Sequence, residues 1–164
     1  MATTNAALYY EDVKVGDEVP RQAVDLTIPV MMRWCAAAEI FRPDHYDYQF
    51  AVNQLKLPQP VGSGWWTQAR LYKLLHDWVG DSGWVLRVRH EIRSHIFPQI
   101  LTFSGTVTRT SVKDGLGYVD VDIAVRQNDG FAPVSGNATV VLPLREGRAV
   151  PYPFGPMTEG TRGS

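Results

Sequence analysis

The chain has 164 residues, 45% hydrophobic and 20% charged, a globular composition that excludes a disordered polypeptide and suffices for one domain with a full core. Its 16 basic and 17 acidic residues leave a formal charge of −1, which provides no electrostatic basis for binding nucleic acid. One cysteine excludes an internal disulfide, and no Cys/His cluster suggests a metal.

No apolar run approaches the roughly 20 residues of a membrane span. Residues 1–10 lack the basic-then-apolar order of a signal peptide. A soluble, cytoplasmic protein is the expectation. Residues 1–29 are turn-rich, with Val15-Gly16-Asp17-Glu18-Val19-Pro20 turning into a brief extended piece.

A helix is predicted next, capped by Thr27 with Pro29 at an early position, where its missing N–H is not needed. Met31, Trp34, Cys35 and Ala38 fall on one face, and Pro43 ends the run. A short helix is predicted over Asp47–Gln54. A third helix begins at Trp65 after the flexible Pro60–Gly64 approach, buries Leu71, Leu74, Leu75 and Trp78, and stops at Gly80.

From residue 85 the pattern has period two. Leu86, Val88, His90 and Ile92 share one face, opposite Arg87, Arg89, Glu91 and Arg93. Leu101, Phe103, Gly105 and Val107 alternate with Thr102, Ser104, Thr106 and Thr108. Val119, Val121, Ile123 and Val125 form another apolar face, and Val134–Leu142 closes the set. Such alternation predicts an antiparallel sheet with one buried face, with hairpin turns at Asp114-Gly115 and Asp129-Gly130. The expected class is α+β, one domain over residues 1–150 with the sheet wrapping the central helix. Residues 151–164 read as a Pro/Gly-rich tail.

Four segments, in order, resemble MaoC-like acyl-CoA hydratases and dehydratases. Tyr10–Glu18 is similar to the family's opening. Phe41-Arg42-Pro43-Asp44-His45-Tyr46-Asp47-Tyr48-Gln49-Phe50-Ala51 resembles its motif D-F-N-P-x-H-x-D-x-x-F-A. Pro60-Val61-Gly62-Ser63-Gly64 is similar to P-I-x-H-G, and Gly136–Pro143 to the closing G-x-A-x-V-x-L-P. The resemblance spans nearly the whole chain and implies a hot-dog fold, a curved antiparallel sheet around a long helix. It also implies hydration of an enoyl thioester, with the coenzyme A thioester as substrate and no cofactor.

One departure falls on the chemistry. Ile40 stands where the family motif has an aspartate, and Arg42 where it has an asparagine. His45 is the candidate acid/base, because histidine as a residue type can take and give protons near neutral pH; the alternative is a local cap with Asp47. Glu39 and Asp44 are candidate replacements for the missing carboxylate, against a solvated helix end and a brace for Arg42. Asp47 is a further candidate, with capping of the next helix as its alternative.

Ser63 and Gly64 are candidates for the site that stabilises the thioester oxygen, since the first N–H groups of a helix lack internal partners. Trp65 and Trp66 are candidate linings of the acyl pocket, with core packing as the alternative. His90 reads as a core histidine and His76 as a structural helix-end residue. His95 is expected to point away from His90 on a regular strand. Arg87, Arg89 and Arg93 form a solvated face that could meet coenzyme A phosphates.

A hydratase or dehydratase is the leading expectation, working as a homodimer or as a heteromer with another hot-dog subunit. The competing expectations are a thioesterase, a non-catalytic or partner-dependent subunit, and an acyl-thioester binding protein.

Overall fold

The computed structural model describes residues 7–152 and Phe154, so most of the expected tail lies outside the described residues. Strand β1 (Glu18–Asp25) precedes helices α1 (Ile28–Ala37), α2 (Tyr48–Asn53) and α3 (Gly64–Val79). Strands β2 (Trp84–Ile92), β3 (Ile100–Lys113), β4 (Leu116–Arg126) and β5 (Val134–Pro143) follow. The strands form one sheet of order β1-β3-β4-β5-β2, antiparallel at every junction.

Local chemistry accounts for most of these elements. Lys113 pairs with Leu116 across a two-residue turn, in which Asp114 and Gly115 have φ of 51° and 71°. Positive φ at both central residues suits the right-handed twist of the flanking strands, and glycine takes it without strain. Thr27 accepts a hydrogen bond from the Val30 N–H at 3.3 Å and so caps α1. Asp47 accepts one from the Phe50 N–H at 2.9 Å and caps α2. Gly80, with φ of 64°, ends α3.

The core lies between α3 and the inner face of the sheet. Leu71, Leu74, Leu75 and Val79 of α3 meet Leu101, Phe103 and Val107 of β3 and Val119, Val121, Ile123 and Val125 of β4 in one buried cluster. Each such side chain contributes about 1.5–3 kcal/mol when fully buried. At the end of α3 it is Val79 that is fully buried, while Trp78 is half-buried against the core.

Strand β2 departs from simple alternation. Its pairing with β5 shifts register between Val85 and Arg87, so a bulge changes the phase of the strand. Val85 and Val88 therefore pack on the core, while Leu86 is 41% exposed. His90 is half-buried rather than a core residue, and removal from water lowers its pKa. No helix of the described residues is long and apolar enough to cross a membrane.

Candidate active site

Three segments far apart in sequence converge beside the start of α3. The first follows α1, which ends well before Pro43, at Ala37. There the Ala38 N–H donates to the Trp34 carbonyl and the Ile40 N–H to the Cys35 carbonyl, both at 2.9 Å. This is a Schellman-type termination, with Glu39 in the left-handed position at φ 53°. The turn sends Glu39 to the exterior and Ile40 inward. A short 3-10 turn over Pro43–His45 then buries Asp44 and His45.

The second segment is the approach to α3. The Val61 N–H donates to the Asp44 carbonyl at 2.9 Å, while the Val61 carbonyl lies 2.9 Å from His45 Nδ1. A carbonyl only accepts, so Nδ1 carries the proton, and Nε2 is the ring nitrogen left for chemistry. The third segment joins β2 to β3, where the Ile96 carbonyl accepts from the Gly62 N–H at 2.7 Å. Backbone bonds thus clamp Val61 and Gly62 between the histidine turn and the strand connection.

Between these segments lies a cavity of about 620 Å³. Ile40, Leu55, Leu57, Val61 and Trp65 supply its apolar wall, and Arg42, Asp44, His45, Ser63 and His95 its polar side chains. A second cavity of about 440 Å³ shares Val61, Gly62, Gly64 and His95 with it and extends to Ile92 and Arg93.

The predicted site residues separate on this geometry. His45, 7% exposed, lines the cavity. Asp44 does too, but Arg42 holds both its oxygens, through Nε at 3.1 Å and Nη2 at 2.8 Å. Asp47 caps α2 and Glu39 is exposed on the outer side of its turn; neither lines the cavity. Ser63 is buried at the head of α3, its hydroxyl making no capping bond.

Gly64 opens α3, and its N–H belongs to the first turn that has no partner inside the helix. A Cβ at Gly64 would stand 2.8 Å from the end of Ile92, so glycine keeps this wall open to a close approach. The two tryptophans diverge. Trp65 is 68% exposed and lines the cavity, whereas Trp66 is 5% exposed and packs edge-on to Phe103 in the core, with ring centroids 6.0 Å apart.

Two further residues bear on the chemistry. Cys35 is buried next to the site, and burial together with the Asp44 charge pushes its thiol up. A thiol held protonated at neutral pH is a poor nucleophile. Strand periodicity in the sequence hides His95 as a site residue, because alternation continued from β2 sends it away from His90. Strand β2 ends at Ile92, so His95 lies in the connection, exposed, and reaches the same cavity as His45.

No family model matches the chain, and no curated protein matches it. Solved structures do. An (R)-hydratase from A. caviae involved in PHA biosynthesis is 21% identical, with a TM-score of 0.72, over 81% of this chain and 99% of its own. A MaoC-like dehydratase from Rhodospirillum rubrum is 20% identical, with a TM-score of 0.71, over 85% and 99%. The ChsH1-ChsH2 complex from Mycobacterium tuberculosis matches at 22% identity and a TM-score of 0.68, over 79% and 98%. The chain has the hot-dog fold of MaoC-like dehydratases and (R)-hydratases. The particular reaction has to be argued from its own site.

Proposed function

We propose that this protein is a hydro-lyase that adds water across, or removes it to form, the α,β double bond of an acyl thioester of the coenzyme A type. The observation that carries this reading is the bond between His45 Nδ1 and the Val61 carbonyl at 2.9 Å. It fixes the ring of a cavity-lining histidine in the tautomer of a general base, beside the open N-terminus of α3. With the thioester oxygen at the Gly64 N–H, that group stabilises the negative charge that develops there. The acyl chain has Ile40, Leu55, Leu57 and Trp65 to lie against.

Water attacks the β-carbon as His45 Nε2 takes its proton. The electrons of the double bond move onto the thioester oxygen, and reprotonation at the α-carbon completes the addition. The thioester is the substrate, and the reaction as written needs no cofactor.

Ile40 supports a second reading. An apolar side chain lines the cavity at the place of the family's aspartate, so another hot-dog chain would complete the site. A homodimer or a heteromer accommodates this reading, and a complex among the similar structures is in keeping with it.

The test incubates the purified chain with trans-2-enoyl-CoA substrates of several chain lengths. Loss of enoyl absorbance without release of thiol is the expected result. Release of free thiol would replace the reading with a thioesterase. Activity only after mixing with a second hot-dog chain would select the partner-dependent subunit.

A further inference from the structure

Hydration needs two proton transfers, one from water and one to the α-carbon. Among the described residues, the titratable side chains that line the cavity holding His45 are Arg42, Asp44, His45 and His95. Arginine does not release its proton in proteins. Asp44 is held through both oxygens by Arg42. Ile40 carries no proton, and Glu39 and Asp47 do not line the cavity. After His45, one group remains.

Resting on the hydratase reading, we infer that His95 is the second proton-carrying group of this site and protonates the α-carbon, the role left open by Ile40. His95 sits in the β2–β3 connection and lines both cavities, sharing the larger of the two with His45. Its backbone is tied down by the Gln127 side-chain amide, which donates to the His95 carbonyl at 3.3 Å. Its ring lies 6.0 Å from that of Phe97. Being exposed, the imidazole can exchange protons with solvent between turnovers.

The forward direction requires a neutral His45 and a protonated His95. The water oxygen bonds to the β-carbon, its proton passes to His45 Nε2, and the π pair moves to the thioester oxygen. As that enolate collapses, the α-carbon takes a proton from the His95 imidazolium. One water is added, and one proton has passed from His95 to His45. Exchange through solvent restores both rings, and dehydration runs the same steps in reverse. The titratable and charged groups that share the cavities of His95 are Arg42 with its partner Asp44, His45, and Arg93, which pairs with Glu91.

The experiment compares the full-length parent with His95→Asn, His95→Gln and His45→Asn on trans-2-enoyl-CoA substrates, across pH 5.5 to 9. Removing His95 is expected to lower kcat by about a hundred- to ten-thousand-fold while KM changes little. The high-pH limb of the rate profile, which reports the acid that must stay protonated, should disappear. Added imidazole should restore part of the rate, a readout that a purely structural role would not move. Parental kcat with both limbs intact in the His95 variants would overturn the inference and leave the hydratase reading standing. So would a loss confined to KM and not rescued by imidazole. A parent that turns over no enoyl thioester would remove both.

Discussion

Replacing His45 in two ways separates its hold on the fold from its chemistry. His45→Ala removes the 2.9 Å bond to the Val61 carbonyl at a site only 7% exposed. Leaving a buried carbonyl unpaired costs about 1–3 kcal/mol, so the free energy of unfolding should fall by that amount, read as a lower urea midpoint at an unchanged m-value. In His45→Asn the side-chain amide nitrogen takes roughly the place of Nδ1 and can still donate to Val61, so stability should stay within about 1 kcal/mol of the parent. Both variants lack Nε2. Turnover of enoyl thioester should fall by about a hundred- to ten-thousand-fold in each, which is about 3–5 kcal/mol of barrier. If Asn destabilises as much as Ala, the bond to Val61 is not what anchors the turn. If His45→Asn keeps parental kcat, the imidazole is not the base.

Glu39→Gly removes the strain of a non-glycine residue in the left-handed position at φ 53°; a gain of about 1 kcal/mol in urea unfolding is expected. Its turnover should match the parent's, and a large loss would return Glu39 to the candidate bases. Gly64→Ala places a methyl group 2.8 Å from the end of the Ile92 side chain, which can swing aside, so melting should change little while kcat drops as the α3 N–H is obstructed. Gly136→Ala meets backbone instead, 2.0 Å from the Arg89 carbonyl oxygen; parting β5 from β2 should cost about 1–3 kcal/mol, read by urea unfolding. Hydrogen bonds from Lys73, and also from Gln22, hold the Asp77 carboxyl below its ordinary range. A depressed folded pKa contributes stability above the unfolded pKa and loses it as pH falls. Asp77→Asn should therefore cost about 0.5–1 kcal/mol at pH 7, discounted for its partial exposure, and the difference should fade below about pH 4 in denaturation run across pH.

Much of the architecture was legible because local interactions determine it. Thr27 and Asp47 cap the helices that follow them, and Asp114-Gly115 forms the tight turn its chemistry demands. The apolar alternation of β3 and β4 is the face that α3 covers. His45 and Gly64 were legible as site candidates through their motifs, and they do line one cavity. Which of the neighbours Glu39 and Ile40 faces that cavity was not legible. It depends on where α1 stops, and the helix ends at a left-handed turn that no glycine marks. The bulge in β2 was hidden for a similar reason, because pairing with β5 displaces Leu86 from the phase its neighbours suggest. Trp65 and Trp66 are chemically alike, and only their angular positions on a packed helix send one to the cavity and the other to Phe103. His95 shows the limit most plainly. Period-two reasoning describes a strand, whereas His95 lies beyond the strand's end, and its place in one cavity with His45 depends on bonds from Val61 to the histidine turn and from Gly62 to Ile96. Caps, turns and alternation act within a few residues, so the chain encodes them locally; the direction of a loop side chain is decided only when segments dozens of residues apart close on one another.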